Sequence, residues 1–216
     1  MPVGYLLILV RHREQAPFIE IVADQVQANR QVFYINVGGF DTHDGQISST
    51  GATGHQLLLQ RVSQAVNAFY RSMVAIGRGN DVTLFTASDF GRTINSNGNG
   101  SDHAWGSVHF AVGGAVNGGQ VYGRYPSIVL DNALTGAVSV NATQGECFSR
   151  GQFLPTMACD QFSATLARWF GVSNAELPTI FPNIDNFATG QYANAGATPT
   201  FAYFNRIVPG LMNGVA

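Results

Sequence analysis

Two short apolar runs and two helical stripes set the frame expected of this chain. Residues 32–37 (Val-Phe-Tyr-Ile-Asn-Val) are β-branched and aromatic and are closed by Gly38-Gly39, so they read as a buried strand. Residues 81–86 (Asp-Val-Thr-Leu-Phe-Thr) repeat the pattern. Between them Leu58, Leu59, Val62, Ala65, Val66, Phe69 and Met73 recur at helical spacing, which predicts a long helix over 55–76 with Gly77 as its stop. A strand, a polar loop and a long helix in that order open a crossover between parallel strands.

The flanking stretches extend the frame. Phe18, Ile21, Val22 and Val26 predict an amphipathic helix over 17–30 that packs beside the first strand. Phe162, Leu166, Trp169 and Phe170 predict another over 160–170, with Asp160 as its cap and Gly171 as its stop. A further strand is expected over 108–112, closed by Gly113-Gly114. The glycines of 118–123 read as tight turns and not as a phosphate loop, because no Lys follows and no helix starts there. Residues 95–101 and 131–150 read as irregular. Residues 1–13 are an apolar patch before Arg-His-Arg without a leader pattern. From residue 188 the chain turns to Ala, Gly and Thr, so that tail is expected to carry little core.

Composition narrows the function classes. A chain of 216 residues with 45% hydrophobic content is long enough for one substantial core and reads as one main domain. Charged residues make up only 11% and Gly numbers 25, a profile of many tight loops. A net charge of −2 without a basic run gives nucleic acid no electrostatic footprint. No apolar run approaches the length that crosses a bilayer. Cys147 and Cys159 lack zinc-site spacing and either pair or stand as separate thiols.

The candidate chemistry follows the strands. In open α/β sheets ligands collect beyond the carboxyl ends of strands. Asp41 and His43 come directly after the first strand. On an extended backbone they share one face, roughly 6–7 Å apart at Cα and close enough to share a metal ion. The plainer alternative is an acid that caps the next helix beside a surface histidine. The second strand leads into residues 87–93, which carry Asp89 and Arg92. Arg92 is a fork donor suited to a phosphate or sulfate oxyanion, or else a salt bridge that holds the loop. Asp102-His103 is a third cluster of acid and imidazole. His55, at the start of the long helix, either supports the ligands from behind or is simply exposed.

Five ordered motifs carry a family resemblance: Gly39-Phe-Asp-Thr-His43, Thr86-Ala-Ser-Asp-Phe-Gly-Arg-Thr93, Asp102-His-Ala-Trp-Gly106, the turn over 113–119 and the helix over 160–170. Together they resemble the bacterial family called domain of unknown function 1501, over roughly residues 31–187. Members of that family resemble the alkaline phosphatase and sulfatase superfamily, and many are exported by the twin-arginine route. The resemblance implies an alkaline phosphatase-like α/β fold, a mainly parallel sheet flanked by helices, of which this chain would be the C-terminal portion. It divides the chain into an N-terminal segment (1–30) with one helix, the α/β domain (31–187) and the tail (188–216). It also implies a periplasmic or extracellular location.

The same resemblance implies divalent metal, commonly zinc, held by Asp and His at strand ends, and a phosphate or sulfate ester as substrate. Asp41 and His43 resemble the acid and imidazole of one metal site, Asp89 the acid of the other, and His103 the final histidine ligand. Asp102 joins them at the same rim, with Arg92 as the catalytic oxyanion donor. Phe90 stands where the second pair would have a histidine, and the Asp-x-His spacing is tighter than the superfamily's. The superfamily nucleophile lies upstream of this region, and the first thirty residues hold no candidate for it. Slow ester hydrolysis at most is therefore expected. The alternative, favoured by Phe90, is a non-catalytic exported protein of the same fold that keeps a metal for binding or structure. A nucleotide-binding α/β domain is a third reading, without a complete fingerprint.

Overall fold

The computed structural model describes residues 5–11, 30–48, 54–126, 147–148, 150–188 and 206–215. Its centre is a four-stranded sheet in the order β2-β1-β3-β6, built from β1 (Tyr5–Arg11), β2 (Arg30–Asn36), β3 (Val82–Ala87) and β6 (Ala111–Gly113). Every neighbouring pair in it is antiparallel. The expected mainly parallel, alkaline phosphatase-like sheet is thereby overturned.

The physical reason lies in the first apolar patch. Residues 5–10 are not an isolated patch; as part of β1 they insert between the two strands that were expected to be neighbours. One register fixes both sides, since Tyr5 lies opposite Asn36 of β2 and opposite Ala87 of β3. β2 and β3 therefore run in the same direction without touching, and their carboxyl ends reach the same rim of the sheet. Within the N-terminal segment, residues 5–11 are part of the central sheet.

Side-chain alternation then builds three layers. Ile8, Val82 and Leu84 point to one face, where Val62, Val66 and Met73 of α1 (Gly54–Ala75) cover them. Leu9 and Phe85 point to the other, under Leu166 and Trp169 of α2 (Cys159–Phe170). Because both faces are covered, β3 is buried along nearly its whole length, which is why its sequence reads as a continuous apolar run. Val208, Leu211 and Met212 join the α2 layer, so part of the Ala/Gly/Thr-rich tail does carry core.

Helix ends follow the expected chemistry in part. α1 ends near Gly77 as anticipated. At α2 the cap residue is Ala158, with Asp160 two residues on in the first turn, where its charge faces the helix dipole. The side-chain oxygen of the buried Gln161 accepts the Ala158 N–H at 3.0 Å. Gly171 ends the helix with φ 110°, a left-handed geometry that glycine adopts without a Cβ penalty. Two short helices follow, α3 (Leu177–Ile180) and α4 (Asp185–Ala188).

The remaining strands are hairpins. β4 (Gly91–Ser96) pairs antiparallel with β5 (Ser101–Ala104), and β7 (Cys147–Phe148) with β8 (Gln152–Phe153). Of the stretch expected to be irregular, 95–101, residues 97–100 are the loop of the first hairpin and residues 95, 96 and 101 belong to its strands. The strand expected over 108–112 is displaced to β6. Cys147 is buried, Cys159 is exposed at the start of α2, and no disulfide joins them. The helix expected over 17–30 and most of the loop expected over 131–150 lie outside the described residues.

Leu84 is 2% exposed between the two helical layers. Leu84→Ala is expected to cost about 2–5 kcal/mol in urea unfolding, as buried leucine truncations do. Val121→Ala, at a position 86% exposed, should stay within about 0.5 kcal/mol of wild type.

Candidate metal centre

The site grows from the exit of β2. Residues 40–43 stay extended enough to alternate: Phe40 and Thr42 are buried, while Asp41 and His43 are exposed. The inward pair is pinned from below by His55, the buried histidine at the start of α1. Its Nε2 lies 3.2 Å from the Phe40 carbonyl and 2.9 Å from Thr42 Oγ1, and its Nδ1 lies 3.4 Å from Gln46 Nε2. One tautomer suits all of these, with Nε2–H donating and Nδ1 accepting. His55 is thus neither exposed nor a ligand; it is the peg that holds the loop.

The hairpin β4-β5 closes over the loop from the side. Ser101 N–H donates to the Thr42 carbonyl and Gln46 N–H to the Asn99 carbonyl. At Gly100 a Cβ would collide with the backbone of Thr42 and His43, so this approach requires glycine. Arg92 and His103 sit opposite each other across the hairpin. Both side chains thereby arrive beside Asp41.

Asp41 Oδ1 is the meeting point. His103 Nε2 lies 2.9 Å from it, Arg92 Nη1 3.1 Å and His43 Nε2 3.2 Å. One ligand atom from each of Asp41, His43 and His103 falls within 4.8 Å of the others. Ligand atoms bound about 2.0–2.1 Å from a tetrahedral zinc stand roughly 3.3–3.4 Å apart, so small side-chain rotations suffice to seat an ion. Two imidazole nitrogens and one carboxylate oxygen are also a donor set suited to a borderline divalent cation.

Each of the three residues has its own support. Arg92, with a side chain only 5% exposed, donates to Asp41. Asp102 Oδ1 lies 3.2 Å from His43 Nδ1. The Phe90 ring stacks on His103 at 4.2 Å and 11°. His43 and His103 stack on each other at 4.8 Å. The hydrogen bond from His103 holds the Asp41 carboxyl below its ordinary range, with charge interactions from His103, His43 and Arg92 adding to it. Hydrogen bonds from Asn97 and His43, with Arg150 nearby, do the same for Asp102.

Of the residues expected to converge, Asp41, His43 and His103 form the group. Asp102 stands one step behind it, against His43. Asp89 is exposed and lies outside the group. Arg92 is adjacent, but it meets Asp41 through Nη1, while Nε and Nη2 are buried without a partner among the described residues. Those two nitrogens form the opposite edge of the guanidinium, so its fork faces away from Asp41. Phe90, at the position expected to hold a histidine, stacks on His103 instead. Asn97 and Arg150, both bonded to Asp102, escaped the sequence reading. Asn97 is one of many Asn, Ser and Gly in its loop, and Arg150 lies in an irregular stretch with no periodic signal.

Residues 22–144, more than half of the chain, match the family described as protein of unknown function DUF1501. The chain belongs to this family. The DUF1501 match takes in β2, α1, the β4-β5 hairpin and every residue of the metal-ligand group, and it ends before α2. No curated protein and no solved structure matches the chain.

Burial lowers the His55 pKa below its ordinary value, against a raising effect from the Phe40 carbonyl. The unfolded chain, with an imidazole pKa near 6.5, then binds more protons than the folded one below that pH. His55 therefore contributes stability that is fully present above about pH 6.5 and is lost as pH falls toward its folded value. In urea unfolding from pH 7.5 to 5, wild type should lose up to about 1.4 kcal/mol per pH unit from this group. His55→Gln should show a shallower pH dependence, with the half-buried His109, also lowered by burial, supplying part of what remains.

Proposed function

We propose that this chain is a divalent-metal-binding domain related in function to metal-dependent phosphate or sulfate ester hydrolases, with Asp41, His43 and His103 as the ligands of a single ion. The observation that carries this reading is the convergence of three ligand atoms within 4.8 Å, each on a side chain with its own support. Random exposed acids and imidazoles lack such backing, whereas metal ligands characteristically have it. A divalent ion held there supplies Lewis acidity to an ester oxygen or to a bound water.

The chain's own residues set what the site can do. His43 and His103 present Nε2, and Asp41 presents carboxylate oxygen. Arg92 donates to that carboxylate and aligns it. Thr42, the hydroxyl between the two ligands in sequence, is turned inward onto His55 and is not placed as a nucleophile. The ligand side chains are about half exposed, at 56% for Asp41, 49% for His43 and 50% for His103. A shallow site of this kind excludes little water, which favours binding over fast turnover.

That exposure also favours the second reading, a non-catalytic protein that uses its ion for binding or structure. Metal analysis after dialysis against zinc, manganese or calcium tests the shared core of both. One equivalent per chain is expected, and Asp41→Ala should weaken it by more than about 100-fold, beyond the 10–100-fold typical of outer partners. A wild-type chain that retains no ion would overturn the proposal. With the ion bound, p-nitrophenyl phosphate and sulfate should turn over slowly; rates no different from free metal would leave the non-catalytic reading.

A further inference from the structure

We propose that Asn97, Asp102 and Arg150 form a clamp that keeps the ring proton of His43 on Nδ1 and so aims Nε2 at the ion, which makes Asp102 a positioning residue and not a ligand. The inference rests on the metal-binding reading above and assigns to that site residues lying behind it.

The geometry around Asp102 is closed. Its Oδ1 accepts from Asn97 Nδ2 at 3.0 Å and lies 3.2 Å from His43 Nδ1. Its Oδ2 is bonded to Arg150 Nη1. Its own backbone N–H donates to Thr93 Oγ1 at 3.0 Å. Both carboxylate oxygens are therefore engaged away from the ion, and Asp102 is absent from the three-residue ligand group.

The clamp also has a rigid base. Asn97 Nδ2 donates to the His43 carbonyl at 2.9 Å as well as to Asp102, so it ties the backbone of His43 to the acid that holds its ring. Asn97 Oδ1 accepts from the N–H groups of Asn99 and Gly100, which locks the tip of the β4-β5 hairpin under it. Arg150 donates through Nη2 to the Ser96 carbonyl at 3.2 Å, and its own carbonyl accepts the Asn95 N–H at 3.0 Å. Hairpin, acid and imidazole thus form one hydrogen-bonded unit.

The chemistry follows from what a carboxylate can do. An ionised carboxylate only accepts, so the nitrogen facing it carries hydrogen and a neutral imidazole then has its lone pair on the other nitrogen. Here that other nitrogen is Nε2, the atom that faces Asp41 and the ion position. An outer carboxylate of this kind fixes tautomer and ring orientation, and its loss typically costs about 10–100-fold in metal affinity.

The test compares zinc affinity, measured by chelator competition, with the ¹⁵N signature of the His43 ring and the visible spectrum of the cobalt-substituted protein. Asp102→Ala should bind one zinc about 10–100-fold more weakly, with an unchanged cobalt spectrum and loss of the protected Nδ1–H signal. Asp102→Asn, close in shape and still able to accept from Nδ1–H through Oδ1, should recover most of the affinity and the ring signature. Asn97→Ala and Arg150→Met should fall between, with Arg150→Lys partly restoring the latter. Unfolding of each metal-free variant separates loss of positioning from loss of fold. Wild-type affinity in Asp102→Ala would overturn the clamp alone. A changed cobalt spectrum with loss of the ion would make Asp102 a ligand and overturn it too. A wild-type chain that holds no zinc would sink the metal-binding reading, and the clamp with it.

Discussion

The structure depends on β1, which pairs antiparallel with β2 along one edge and with β3 along the other. Through it the two strands that lead into the metal centre are held in the same direction and at the same level, because Asn36 and Ala87 are both read off against Tyr5. A register slip of one residue on either side would turn every side chain of that strand to the opposite face. Ile8 and Leu9 would exchange layers, and neither helix would find its apolar partner. The pairing is therefore specified by two packed layers at once, and the position of the site at the rim follows from it.

At that rim a network of acids, imidazoles and guanidinium groups replaces hydrophobic packing. Arg150 and His43 both meet Asp102, Arg92 and His103 both meet Asp41, and His43 Nε2 lies 3.2 Å from Asp41, with His103 packed against Phe90. Surface ion pairs taken singly contribute little. Here they come from three separate segments whose backbones are already bonded to each other, so the ordering cost is met mostly by the fold. His55 and Thr42 bury the underside of the loop, and the hairpin covers its flank. The result is that the directions of Asp41, His43 and His103 are set by the fold around them.

That arrangement changes the meaning of two residues that look alike in sequence. Asp89 follows β3 and Asp102 lies within β5, and each precedes an aromatic or imidazole neighbour, yet only Asp102 meets the group of Asp41, His43 and His103, through His43. Arg92 was suited by its chemistry to receive an oxyanion, and the fold turns its fork inward and gives its end to Asp41. Phe90, which reads as a lost ligand, is the stacking partner of His103. In each case residue type was the right clue to the neighbourhood and a poor clue to the role.

Local pattern alone determined α1, α2, their glycine stops, the strands β2 and β3, and the outward face shared by Asp41 and His43, since these depend on periodicity and on one residue's own backbone. Tertiary structure alone decided the strand order, the antiparallel sense, the β4-β5 hairpin and the partners of Asp102, because those depend on which distant segments pair. An apolar hexapeptide such as residues 5–10 carries no mark of the two edges it will fill; only the hydrogen-bonding demand of β2 and β3 places it between them.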